Sequence, residues 1–195
     1  MELTEGPVGL RPLRIKDGAD WHELRRRNAT WLQPWEATRP MDTRPEMSFA
    51  HMVRRLRAEA RAGRSMPFAI TYEGGFVGQL TVSGITWGSL CGAHLGYWVD
   101  QGHAGQGIMP TAVAMASDHC WRIGLHRVEI CIRPENRNSR RVVEKLGFRE
   151  EGLRPRFLHI DGHWRDHLVF VLTAEEVPEG LASRWRASRP PLAAQ

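Results

Sequence analysis

The 195-residue sequence predicts an α/β chain in which a mixed sheet carries helices on both faces. Three observations carry this. Strand-length apolar runs alternate with segments of helical period. A glycine-rich stretch, Gly102-His103-Ala104-Gly105-Gln106-Gly107-Ile108, lies between the apolar run Leu95–Val99 and a long helical pattern. Near the end, two long extended runs flank Asp161-Gly162, a strong two-residue hairpin signal.

Taken in order, Val8–Ile15 reads as a first strand. Asp17 caps a helix running to about Asn28, with Asp20 favouring its positive end. Thr30 to Pro45 is irregular and rich in Trp and Pro. Thr43-x-x-Glu46 is a capping box. It opens a helix whose stripe Phe49, Met52, Val53, Leu56 and Ala60 follows helical spacing, and Gly63 ends it. Strands follow at Pro67–Tyr72, Phe76–Ile85 and Leu90–Val99, the first two joined by Glu73-Gly74-Gly75. After the glycine loop, the helix Met109–Ile123 buries Met109, Ala112, Val113, Ala116, Cys120 and Ile123. The strand Arg127–Arg133 alternates, with Val128, Ile130 and Ile132 on one face. A short helix covers Ser139–Leu146, and Phe148–Ile160 pairs with His163–Leu172. Thr173-x-x-Glu176 then caps a short terminal helix, and Arg189-Pro190-Pro191 opens a loose tail. The expected organisation is one domain over residues 1–175, with the short helix and tail in 176–195.

Bulk properties narrow the function. No apolar run approaches the ~18 residues of a membrane helix, and the N-terminus lacks a signal-peptide layout, so the expected location is the cytoplasm and no membrane partner is expected. Cys91, Cys120 and Cys131 are odd in number and widely spaced, which favours buried reduced thiols over a disulfide or a zinc site. The net charge of +5 is spread along the chain. A polyanionic cofactor or an acidic setting explains it as well as nucleic acid, and no nucleic-acid function is expected. His159, His163 and His167 are spaced by four, but the turn puts His159 and His163 on different strands, so no metal is expected there.

Strand, glycine loop and helix, in that order, suit a phosphate: glycines admit close backbone approach, and the helix N-terminus adds about half a positive charge. The loop is followed by a strand, then by Asn136-Arg137-Asn138-Ser139, then by Glu144-Lys145-Leu146-Gly147-Phe148. In this order the pieces resemble the GNAT superfamily of acyl-CoA-dependent N-acetyltransferases. Leu95-Gly96-Tyr97-Trp98 and the phrase from Asn28 to Glu36 resemble its Rim-type branch, which acetylates protein N-termini such as those of ribosomal proteins. The resemblance runs from about Val8 to Leu172. It implies the GNAT fold, α/β (α+β), with a mostly antiparallel central sheet of about six to seven strands.

The resemblance further implies acetyl-CoA as cosubstrate and a peptide or protein N-terminus, such as a ribosomal protein's, as acceptor, in a monomer or homodimer. Gly102, His103, Ala104, Gly105, Gln106, Gly107 and Ile108 match the pyrophosphate loop. Gly102 stands where the motif prefers Gln or Arg, so a side-chain phosphate contact is lost there. Tyr97, Trp98 and Val99 match the strand that pairs with pantetheine, and Asn136 matches a contact to the same arm. Arg137, Arg140 or Arg141 could meet the 3′-phosphate. Ser139 matches a hydroxyl near the thioester sulfur and so a donor to the leaving thiolate; the alternative is that it only caps the following helix. His94 stands where many relatives carry a carboxylate, and an imidazole with pKa near ~6.5 suits a base near neutral pH; the alternative is a hydrogen-bonded strand histidine, with water relaying the proton. Trp31, Trp35 and Glu36 are candidates for the substrate mouth, where Glu36 would attract a cationic N-terminus. An α-amine, with pKa near ~7.7–8.0, is a better match to a weak base than lysine near ~10.4. The rival functions are a small-amine or antibiotic acetyltransferase, and a CoA-binding or ribosome-associated module without turnover.

Overall fold

The computed structural model describes residues 1–40 and 47–188. The Thr43–Glu46 capping box and the tail beyond 188 lie outside the described residues. Ordered along the chain are β1 (Leu3–Glu5), β2 (Val8–Pro12), α1 (Gly18–Arg27), α2 (Ala29–Leu32), α3 (Phe49–Arg61), β3 (Met66–Tyr72), β4 (Gly75–Thr86), β5 (Gly92–Val99), α4 (Ile108–Arg122), β6 (Arg127–Ile132), α5 (Arg137–Leu146), β7 (Arg149–Ile160), β8 (His163–Thr173) and α6 (Leu181–Ser188).

The eight strands of the described residues form one sheet in the order β1-β2-β3-β4-β5-β6-β8-β7. The eighth strand is β1, a three-residue piece held by pairing with β2 and too short to leave a period in sequence. Every neighbouring pair is antiparallel except β5 and β6. That parallel pair has three rungs, Gly92↔Arg127, Ala93↔Val128 and His94↔Glu129. Beyond them the strands part, and the sheet splits toward the C-terminal ends of β5 and β6.

The long helix α4 is the centre of the core. Ala112, Val113, Ala114, Ala116 and Cys120 are sealed, and small residues here let the helix lie close to the sheet. Ile123, expected inside, is the C-cap and is 38 % exposed. Helix α3 starts at Phe49 behind Ser48, whose hydroxyl accepts from His51 N–H, and seats Phe49 and Val53 against Leu13. Of the three thiols only Cys120 is fully buried; Cys91 and Cys131 are half-buried, and all three are free. Among the described residues no helix is long and apolar enough to cross a membrane.

Candidate active site

The split between β5 and β6 positions the site. Main-chain groups alternate in direction along a strand. The Cys91 carbonyl turns to β6, accepting from His126 and Arg127 N–H. Asp100 N–H turns to β4, donating to Val77 O at 2.8 Å. Between them the C=O of Leu95 and the N–H and C=O of Tyr97 and Val99 therefore face the gap, the Leu95 N–H closing the last rung on Glu129. The Trp98 carbonyl faces the other way: a Cβ on Gly78 in β4 would sit 2.3 Å from it. Of the three predicted strand contacts, Tyr97 and Val99 offer polar backbone to the split, whereas the Trp98 carbonyl is directed at β4. Trp31 Nε1 already donates to Val99 O, at 3.2 Å.

At the end of β5, Asp100 is buried and organises the loop. Its carboxylate accepts from Asn28 Nδ2 at 2.7 Å and meets His103 Nδ1 at 2.6 Å and Arg27 at 2.9 Å. Burial opposes its ionisation, but these hydrogen bonds and the Arg27 charge outweigh that and hold its pKa below the ordinary value. His103 and Ala104 spend their N–H groups in a 3₁₀ turn, on Asp100 O and Gln101 O. The cradle expected over residues 103 to 108 therefore starts later. From Gly105 on, the N–H groups of Gly105, Gln106, Gly107 and Ile108 have no acceptor among the described residues. Gly105 and Gly107 take φ +81° and +79°, and a Cβ on Gly105 would meet nothing within 4 Å. Gly107 is the N-cap of α4 and supplies no side chain to its orphan amides. An anion fits here without displacing anything. Gly102 stands beside the loop, 3.2 Å from Asp100 if given a Cβ, and its carbonyl holds the Gln106 amide at 3.0 Å.

A cleft of about 400 Å³ runs from this loop to α5, with Trp31, Trp98, His103, Ala104, Gly105 and Gly107 on one side and Asn138, Ser139, Arg141 and Lys145 on the other. Of the three arginines considered for a phosphate, Arg141 lines it, joined by Lys145; Arg140 turns to Pro134 O and Glu144. A second lobe of about 210 Å³ opens between the parted strands. Its walls are Leu95, Ile130, Ile132, Leu158 and Ile160, with Arg133 and His167 as polar members. Four residues line both lobes: Trp35, Tyr97, Asn136 and Ser139.

At that junction the Tyr97 hydroxyl and Ser139 Oγ are 2.8 Å apart. Tyr97 is half-buried, and desolvation pushes its phenol well above the ordinary tyrosine value, so it stays protonated. Ser139 is not the helix cap. That position belongs to Asn136, whose Oδ1 accepts from Ser139 N–H at 3.0 Å, and α5 starts at Arg137, two residues before the expected Ser139. The cap thus leaves the Ser139 hydroxyl available and commits one oxygen of Asn136.

Two predicted groups stand differently from expectation. Glu36 is ion-paired with Arg25, so its charge is neutralised locally, and its carbonyl accepts from Asp161 N–H. His94 lines neither lobe. It is half-exposed on the opposite sheet face from Tyr97, with Nδ1 3.2 Å from Glu129. Glu129 is buried and also meets Arg154 at 2.5 Å and Arg127 at 3.0 Å. Burial opposes ionisation of Glu129, but the two guanidiniums keep it a carboxylate. His94, Glu129 and Cys131 converge within 4.8 Å. Two arginines on the same carboxylate oppose a cation there, and burial with the Glu129 charge pushes the Cys131 thiol up to about 12. His159, on its own strand, meets Thr38 Oγ1 at 2.8 Å.

The family model for the acetyltransferase (GNAT) domain matches residues 8–149. The chain belongs to the GNAT acetyltransferase family. It is similar to Mycobacterium smegmatis RimJ, solved in complex with CoA-disulfide, at 47 % identity and TM-score 0.87 over 93 % of this chain and 88 % of that one. It is also similar to the [ribosomal protein uS5]-alanine N-acetyltransferase of Escherichia coli, at 26 % identity over 92 % of this chain and 94 % of the relative. A ribosomal-protein-S5-alanine acetyltransferase from Vibrio fischeri matches at 25 % identity and TM-score 0.78, over 89 % and 96 %. The GNAT domain is thus of the Rim type, and the protein is an acetyl-CoA-dependent acetyltransferase. What the sequence did not disclose was the Tyr97 hydroxyl, read only as backbone, and the place of His167, read only as a failed metal ligand.

Proposed function

We propose that the protein acetylates the N-terminal α-amine of a protein, with a ribosomal protein as the acceptor class. The observation that carries this is the junction at Tyr97 and Ser139, where a lobe headed by the Gly105–Ile108 amides meets a smaller lobe of mixed apolar and polar lining. The first lobe suits a long anionic thioester laid along α5, with diphosphate on the loop and Arg141 and Lys145 near further phosphate charge. The second admits one neutral amine with a small side chain. Ser139, backed by Tyr97, is the donor to the departing sulfur. The relatives that act on ribosomal-protein alanine support the acceptor class.

The test is incubation with acetyl-CoA and parallel panels of short peptides and small amines, read by thiol release and mass spectrometry. Acetyl on peptide N-termini is the expected outcome. Modification of small amines alone, or tight CoA binding with no thiol released, overturns it.

A further inference from the structure

The acetyl transfer needs a group that takes a proton from the attacking amine. The lobe between the parted strands has few candidates. Arg133 is permanently charged, held by Pro34 O at 2.6 Å and laid over Trp35 at 5.3 Å. Cys131 is a thiol kept protonated by burial and by Glu129. Tyr97 is kept protonated by burial, and neither Ser139 nor Asn136 accepts a proton near neutral pH. There remains His167.

His167 is 3 % exposed and lines the lobe shared with Tyr97 and Ser139. Its Nδ1 lies 3.0 Å from Arg165 O. A carbonyl only accepts, so Nδ1 carries the proton and Nε2 carries the lone pair. Among the described residues nothing donates to Nε2. The ring stands edge-on to Phe157 with centroids 6.0 Å apart, and its strand is anchored one residue on by Leu168 against Ile132. We infer that His167 is the general base of the transfer, its free Nε2 receiving the proton of the attacking amine. This rests on the acetyl-transfer reading of the two lobes.

The balance closes. The amine lone pair forms the N–C bond while the carbonyl π pair moves to oxygen. The N–H grows more acidic as that bond forms, and Nε2 takes its proton. The oxygen pair then restores C=O, the C–S bond breaks, and sulfur gains a proton from the Ser139–Tyr97 hydroxyl pair. Water removes the proton from His167 and restores the one on the pair, leaving amide and thiol.

Burial lowers the His167 pKa, the Arg165 carbonyl bond and Asp166 and Glu135 oppose this, and Arg133 adds to it. Arg154 is its cross-strand partner on β7, and by the strand registers His167 shares a sheet face with Cys131, Glu129 and His94. The net effect keeps the imidazole neutral and able to accept at cellular pH.

The experiment is the pH profile of kcat/KM in the full chain for wild type, His167→Gln and His94→Gln, using whichever amine the wild type acetylates. In His167→Gln, kcat should fall by about 10²–10³-fold, with the acetyl-CoA Kd within about threefold. The acid limb of the wild-type profile, set below the ordinary histidine pKa, should vanish in His167→Gln and persist in His94→Gln. Near-wild-type kcat in His167→Gln, or a limb that disappears with His94 instead, overturns the assignment. Nitrogen NMR of the wild-type imidazole tests it without any variant: an Nδ1–H tautomer is expected, and an Nε2–H tautomer overturns it. A wild type inactive on every amine defeats the function proposed above, whereas an active wild type with an active His167→Gln defeats only this inference.

Discussion

At the scale of single residues, the hydroxyl pair carries the clearest expectation. If Oγ serves the departing sulfur as proposed, Ser139→Ala should lower kcat by about 10-fold or more while leaving the acetyl-CoA Kd within a few fold. Tyr97→Phe should act in the same direction and, combined with Ser139→Ala, cost less than the product of the two, since both act through one hydrogen bond. Steady-state kinetics with calorimetry of cofactor binding checks both. Ser139 was readable in the sequence because Asn-x-x-Ser is a local spacing. The phenol of Tyr97 was not, since its partner is 42 residues away. Glu36 shows the opposite failure. Its neutralising Arg25 sits on the preceding helix, 11 residues back, and no local pattern announces which side chains two such segments bring together.

At the scale of elements, the loop leading into α4 makes the sharpest prediction. Gly105→Glu places a carboxylate over orphan N–H groups and forces a side chain into φ +81°. Acetyl-CoA binding measured by calorimetry should fall below detection while the far-UV spectrum is kept; an unchanged Kd would refute the cradle. In β4, Gly78→Ala should destabilise the chain by several times the usual ~1 kcal/mol of a point change, since its Cβ would meet the backbone oxygen of Trp98 at 2.3 Å. Urea denaturation measures it. Period and turn chemistry made these elements legible: the long strands, the glycine loop and the Asp161-Gly162 hairpin all show in the sequence. Pairing did not, and the place where β5 leaves β6 follows from three-dimensional packing rather than from any period within either strand.

For the whole molecule, the boundary drawn at residue 175 separates parts that share a core. Leu181 is fully buried with the main cluster, Asp118 of α4 accepts from Leu181 and Ala182 N–H at 2.6 and 2.9 Å, and Arg184 donates to Leu146 O at 2.6 Å. Truncation after Gly180 should therefore lower the melting temperature strongly in thermal unfolding. Acid should weaken the fold in two stages. His119 and His167 have lowered pKa values, chiefly from burial; the unfolded chain binds more protons, so stability drops as pH falls below about 6.5. Asp17, Asp100 and Glu129 are also lowered; their contribution is present above about pH 4 and is lost below it. Melting curves across pH should show both steps, the first reduced in His167→Gln.

The three-rung contact between β5 and β6 has a mechanical meaning as well. Five strands lie on one side of it and three on the other, so the protein resembles two boards butted edge to edge with a short glue line. An extended amide-bearing molecule slipped into the gap would extend that line by bridging both boards. Saturation with acetyl-CoA should accordingly slow amide hydrogen exchange at Tyr97 and Val99 on β5 as well as at the loop.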